Sequence, residues 1–258
     1  MKKSTTFIKS VLLSVLLGAG FTAGAQKLPN TQQESLRLPA NIKIDGKAVE
    51  WNNQFRAYNK STDIFYTIAN DDDRLYLIIQ ATDPSIINKI IGGGITFTIQ
   101  KTGKKDDKGG ISITYPYFDK KSKPAFNLAY LYDNAATINK DSIIAVYNKT
   151  LESKSQQIKV TGIAGLDELI SVYNQDGIKT AQLFDNKPAY TYELAVDLKQ
   201  LGLSTGNPAK FAYHINLGAS IADNLSRMRN FTVGADGETS HPAAAYTDFW
   251  GEYTLAGK

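Results

Sequence analysis

The sequence predicts an all-β domain, a sandwich or a barrel, on three observations. Apolar residues alternate with polar ones at period two along several segments, turn-forming residues separate those segments, and helical periodicity is scarce.

Four segments carry the alternation. Ile95, Phe97 and Ile99 alternate with Thr96, Thr98 and Gln100. Tyr190, Tyr192, Leu194, Val196 and Leu198 alternate with Thr191, Glu193, Ala195 and Asp197. Phe211, Tyr213, Ile215 and Leu217 alternate with Ala212, His214, Asn216 and Gly218, and Phe249, Gly251, Tyr253 and Leu255 with Trp250, Glu252 and Thr254. Successive strand side chains point to opposite faces, so each segment presents one apolar face; a helix would scatter it. Asn70 to Arg74 separates Ile64–Ala69 from Leu75–Ala81 and reads as a hairpin loop. Asn174-Gln175-Asp176-Gly177 precedes Ile178–Leu183, and its Asp-Gly pair suits a tight connection with positive φ.

One short helix is predicted after Asp83. Asp83 supplies a cap, Pro84 the first position, Ile86, Ile87, Ile90 and Ile91 an apolar stripe, and Gly92-Gly93-Gly94 a stop. A helical turn is expected at Leu198 to Leu203. Lys101 to Gly110 is a polar loop, expected to be mobile, and Asn134 to Ser155 fits neither period. No internal repeat or second domain boundary is visible.

The amino-terminal residues read as a leader. Lys2, Lys3 and Lys9 precede the apolar run Val11 to Phe21, and Ala23-Gly24-Ala25 fits a cleavage site, so residues 1–25 are expected to be a signal peptide. The run is shorter than the roughly 20 residues a membrane-spanning helix needs. Residues 26–37 read as a linker, and 38–258 as one domain. The formal charge of +4 includes the three leader lysines, so the rest is near neutral, which argues against nucleic acid as a partner. Cys 0 leaves neither disulfides nor a lipid-attachment cysteine. The expected location is therefore periplasmic or secreted, with no lipid anchor and no membrane span after cleavage, and the core must supply the stability.

Six stretches in order resemble a known family. They are Ile44-Asp45-Gly46 with Glu50-Trp51, then Asp71-Asp72-Asp73-Arg74-Leu75-Tyr76-Leu77, Thr82-Asp83, Gly94-Ile95-Thr96-Phe97-Thr98-Ile99, Tyr192-Glu193-Leu194-Ala195-Val196-Asp197-Leu198, and Phe249-Trp250-Gly251-Glu252-Tyr253-Thr254-Leu255. Their order and spacing resemble the family 9 carbohydrate-binding modules and the wider DOMON-like sandwiches, over about Asn41 to Leu255. The resemblance implies a jelly-roll-like β-sandwich of two antiparallel sheets with one or two short helices. It also implies sugar binding on or near one sheet, often with calcium nearby. The chain's two tryptophans, Trp51 and Trp250, both lie within these motifs.

Sugar rings pack their C–H faces on aromatic rings, and their hydroxyls need short polar partners. Tyr115 and Tyr117, beside Phe118, and Tyr130 and Tyr132, on one face of an expected strand, are candidate ligand contacts; aromatics of this kind also fill sandwich cores. Trp250 lies on the face opposite Phe249 and Tyr253, with Glu252 beside it. Calcium takes six to eight oxygen ligands, and Asp71, Asp72, Asp73 and Asp83 are candidates, although Asp also favours solvated turns. Glu193 and Glu252 alternate outward and are the carboxylates a glycosidase would need. His214, His241 and Met228 are the residues available to hold haem, with His214 read as a satisfied sheet histidine. No nucleophile elbow or phosphate loop is present. The expected function is non-catalytic binding of a glycan or oligosaccharide outside the cytoplasm. A structural or protein-interaction sandwich with an envelope partner is the alternative, and a glycan-active hydrolase a third.

Overall fold

The computed structural model describes residues 27–39, 42–119, 122–133, 138–206, 210–218 and 247–257. The expected leader lies outside them, as do Met228 and His241. Eleven strands among the described residues form two antiparallel sheets. The first sheet contains β1 (Ala57–Asn59), β2 (Ile64–Asn70), β3 (Arg74–Ala81), β8 (Ile178–Phe184) and β9 (Tyr190–Asp197), in the order β1-β2-β3-β9-β8. The second contains β4 (Ile95–Gln100), β5 (Ile111–Tyr117), β6 (Gln157–Thr161), β7 (Leu169–Ser171), β10 (Lys210–Leu217) and β11 (Asp248–Thr254), in the order β11-β10-β4-β5-β6-β7.

The apolar phase of each alternating segment faces the other sheet. Tyr66, Leu77, Tyr192 and Leu194 from one side meet Phe97, Ile113, Tyr213 and Ile215 from the other in one buried cluster. Tyr66 and Tyr213 join their hydroxyls across it at 2.8 Å, which satisfies two polar atoms that would otherwise be costly to bury.

β9 shows more than half-buried alternation. Its outward residues Thr191, Glu193 and Ala195 are buried as well, because residues 36–55 cover that face. Trp51, Ala48, Leu38 and Ile44 pack there on Tyr76, Ile78 and Ala195 as a second apolar cluster. Glu193 stands among them, fully buried. Its Oε1 accepts Trp51 Nε1–H at 2.8 Å, and its Oε2 accepts the N–H groups of Gly46 at 2.7 Å and Asp45 at 2.9 Å. Glu193, expected to face solvent or a groove, thus anchors the covering segment instead.

The stretch expected as a linker packs along the sandwich edge. β1 has only three residues, so it leaves the outer edge of β2 unpaired beyond Tyr66, and buried backbone groups need partners. Gln32 supplies two of them, accepting from Ile68 N and donating to Ile68 O, both at 2.8 Å. Asn70 N donates to Leu36 O and Leu38 N to Asn70 O, both at 3.0 Å. The same strap reaches the second sheet, where Ser35 Oγ donates to Thr254 O at 2.6 Å.

Four helices are described, against the one or two expected. In α1 (Pro84–Gly93) Asp83 caps the amino end and Gly94 closes the other with φ 79°. α4 (Leu198–Leu201) is the expected helical turn. The ambiguous stretch contains α3 (Lys140–Lys154), where Asn139 caps and Ile144 and Leu151, seven residues apart, are buried on one face. The Tyr130–Tyr132 segment is α2 (Leu128–Asp133) and not a strand, because Leu128 and Leu131, three apart, are the pair that goes inward. The Asn174–Gly177 turn joins β7 to β8, so it crosses between the sheets. Gly177 has φ +78°, and a Cβ there would strike the Asp197 carboxylate.

Burial pushes the Glu193 carboxyl from 4.5 up to about 7, against its three N–H donors, which pull it down. A folded value raised this way gives stability that is complete below the ordinary value and lost as pH rises through about 7. Urea unfolding of the wild type should therefore lose on the order of 2 to 3 kcal/mol between about pH 5 and pH 8. That slope should vanish in Glu193→Gln; an equal slope in both proteins would contradict the assignment.

Candidate functional site

β10 and β11 lie side by side, with β11 at the edge of the second sheet. Their register sets His214 opposite Trp250, and the inward positions of Tyr213, Phe249 and Tyr253 turn both rings to the outer face. The imidazole and indole stack with centroids 4.4 Å apart and planes 4° from parallel. His214 is buried and Trp250 half-buried.

The imidazole is fixed at both nitrogens. Nδ1 lies 2.9 Å from Asp107 Oδ1 and Nε2 2.8 Å from Asp248 Oδ2. Both bonds are satisfied together when both nitrogens carry hydrogen. Asp107 comes from the 101–110 loop, expected to be mobile. Gln100 Nε2 holds that loop by donating to Asp106 O at 3.0 Å and Lys108 O at 3.1 Å. The indole therefore rests on a ring that cannot turn.

One indole face is used by His214. Trp250 also lines an open groove of about 260 Å³ between β11 and the strap. Glu252, Lys210, Lys105, Glu34 and Ser35 line it with Trp250. The volume is slightly under the ~300 Å³ at which ordinary ligand pockets begin, so it suits a single small ring. Glu252 is exposed and accepts from the Lys210 ammonium, which holds its carboxyl below the ordinary value, with Lys105 adding to the effect. Flat apolar surface and hydrogen-bonding charges thus stand side by side.

Of the six residues expected to contact a ligand, Trp250 and Glu252 share this groove. Tyr115 is a core residue, 5% exposed, and burial pushes its phenol up to about 12. Tyr117 lies half-buried on the outer face of the same sheet with Lys159 Nζ 5.8 Å from its ring centroid. It is three strands from β11, about 14 Å at the usual spacing. Tyr130 is exposed on α2, while Tyr132 is half-buried and donates to Pro188 O at 2.7 Å.

Of the aspartates expected to bind calcium, Asp71, Asp72 and Asp73 share the turn between β2 and β3, and Asp83 lies beyond β3. Asp71 Oδ1 accepts from Asp73 N at 2.8 Å and Arg74 N at 2.7 Å, and its Oδ2 accepts from Tyr76 Oη at 2.6 Å. Asp72 pairs with Arg37 at 2.8 Å. Asp83 accepts from Ser85 N at 2.7 Å as the cap of α1, at the far end of the eight-residue β3. No group of three or more His, Cys, Asp or Glu fit to hold a metal occurs among the described residues.

Sequence reasoning missed the clamp around Trp250. Alternation placed His214 and Trp250 outward on their strands, but only the β10–β11 register makes them neighbours. Nothing in the polar loop marked Asp107. Because one indole face is shielded by His214, acrylamide quenching of Trp250 should rise in His214→Ala. Trp51, 4% exposed, should stay unquenched and serve as the internal reference; an unchanged profile would mean the stack does not persist in solution.

No protein-family model matches the sequence, and no curated protein matches it either. Among solved structures, the chain is similar to a family 9 carbohydrate-binding module from Caldicellulosiruptor kristjanssonii in complex with glucose. Identity is 12% and the TM-score 0.34, covering 87% of this chain and 97% of that one. It is also similar to such a module from the same organism in complex with cellotriose, at 12% identity and TM-score 0.33, covering 73% of this chain and 80% of that one.

Proposed function

We propose that this protein binds carbohydrate without processing it, taking one ring of a glycan or oligosaccharide on the free face of Trp250, and that it does so outside the cytoplasm. The observation that carries the reading is the Trp250 indole, stacked on His214 at the wall of an open polar groove. A sugar ring needs that pairing of surfaces, a flat apolar face for its C–H bonds and hydrogen-bonding groups at the rim for its hydroxyls. Glu252, Glu34, Lys105, Lys210 and Ser35 supply acceptors and donors. Holding the indole in place before binding lowers the ordering cost that a loose aromatic would incur.

The two carboxylates expected for glycoside hydrolysis, Glu193 and Glu252, are not paired across this groove. The reaction needs two carboxyl groups across one bond, one of them held protonated by a raised pKa. Glu252 is shifted the opposite way by Lys210, and Glu193 is sealed behind Trp51 on the other sheet. Residues 1–25 as an export leader supply the location in this reading.

A glycan array followed by titration calorimetry tests it. Trp250→Ala should weaken the best glycan at least tenfold, about 1.4 kcal/mol, with little change in melting temperature, since the indole lies outside the core. Tyr115→Ala should instead cost about 3 to 5 kcal/mol of stability, as loss of a large buried aromatic does. Failure of the wild type to bind any glycan would overturn the proposal and favour a protein partner.

A further inference from the structure

A second aromatic surface flanks the same strap. In the first sheet Tyr58 of β1 is paired with Phe65 of β2, Phe65 with Gln80 of β3, and Gln80 with Thr191 of β9. All four point outward, where the covering segment ends at Phe55. Phe65 lies 4.8 Å from Tyr58 and 5.8 Å from Phe55, centroid to centroid, with ring planes tilted by 41° and 42°. All three rings are half-buried. Polar groups bound the strip on both sides. Tyr58 Oη donates to the Asp63 carboxylate at one end, and Gln80 Nε2 donates to Thr191 Oγ1 at 3.1 Å at the other.

Beside Phe55 an open groove of about 410 Å³ continues along Arg56, Pro29, Gln33 and Glu34. Gln33 and Glu34 also wall the Trp250 groove. The two grooves, one reached by Trp250 and the other by Phe55, therefore flank one short segment of the strap, residues 32–34, which lines both. An apolar partner lying on Phe65 would strip water from Asp63, Tyr58 and Gln80 and return nothing to them, which is costly. A polyhydroxyl ring has a C–H face for the aromatics and hydroxyls for both polar ends.

We infer that the Phe55–Phe65–Tyr58 strip is a second ring-binding subsite for the same glycan, so that the ligand is an oligosaccharide spanning the strap. The inference rests on the carbohydrate reading of Trp250. Trp250 takes one sugar unit, and units further along the chain reach Phe65, with Gln33 and Glu34 facing the sugars between.

The test is calorimetric titration of the full chain with mono- to hexasaccharide ladders of cellulose, xylan, mannan and starch. Affinity should step up by about tenfold, the equivalent of 1.4 kcal/mol, once the chain is long enough to span the strap. Phe65→Ala should abolish that step while leaving binding of the shortest ligand intact. Should Phe65→Ala fold poorly, Phe55→Ser carries the same readout from the rim of the strip. Affinity independent of chain length, or a step that survives both substitutions, would overturn the second subsite and leave the Trp250 reading standing. Loss of all binding in Trp250→Ala, monosaccharide included, bears on that first reading alone. No binding by any ladder would overturn both.

Discussion

The buried Glu193 carboxylate is the constraint on which much of the architecture turns. A charge in that position is tolerated because three N–H groups converge on it, from the Trp51 indole and from the backbone of Asp45 and Gly46. Removing one donor leaves a buried acceptor unsatisfied, which costs more than the net worth of the bond itself. The carboxylate therefore pins the 36–55 segment in one register against β9. With that cover in place, β9 and the adjoining part of β3 are buried on both faces, and Thr191 and Ala195 can be interior residues on the outer side. The Ile44-Asp45-Gly46 and Glu50-Trp51 stretches and the Glu193 strand, which seem unrelated in the sequence, are parts of one contact.

Closure of the sandwich edge follows from the same segment. Upstream of the cover, the strap runs between β2 of one sheet and β11 of the other. It satisfies Ile68 and Asn70 on one side and meets Thr254 and Tyr253 on the other. An unpaired β2 edge would invite association with other chains; here it is occupied internally. The strap does not fill the edge flush, however. It leaves a depression on each flank, one beside Trp250 and one beside Phe55. The candidate binding surface is thus a consequence of how the edge is sealed.

The sheets were legible in the sequence because each strand's inward face has to be apolar, and period two records that directly. The α1 cap and stop were legible for a similar reason, since Asp83, Pro84 and Gly94 act locally. Three features were not. Glu193 reads as an exposed strand residue because its burial depends on a segment about 140 residues away, and no local pattern encodes a distant cover. α2, at six residues, is too short to show a helical period, and α3 was missed because few of its apolar residues go inward: it buries two side chains over 15 residues. Within the candidate site, Trp250 and Glu252 stood out as residues on the outer face. Their meaning depends on partners in other strands and loops, His214 through the β10–β11 register, Asp107 from the 101–110 loop, and Lys210 across the pair. Of the aspartates expected to bind calcium, Asp71 holds a turn, Asp72 pairs with Arg37 and Asp83 caps α1, local uses that Asp commonly serves.

Rigidity links the fold to binding. An exposed tryptophan on an edge strand would ordinarily sample several rotamers, and a ligand selecting one of them would bear that entropy. Here the indole stacks on His214, His214 is held by Asp107 and Asp248, and Asp107 is held by a loop that Gln100 ties to the sheet. Each link carries a single weak interaction, yet together they leave the indole plane little freedom. The two carboxylates of this chain of contacts are partly exposed, where such pairs add little to stability. The physical effect of these contacts falls on the free indole face, whose orientation is set before any ligand arrives.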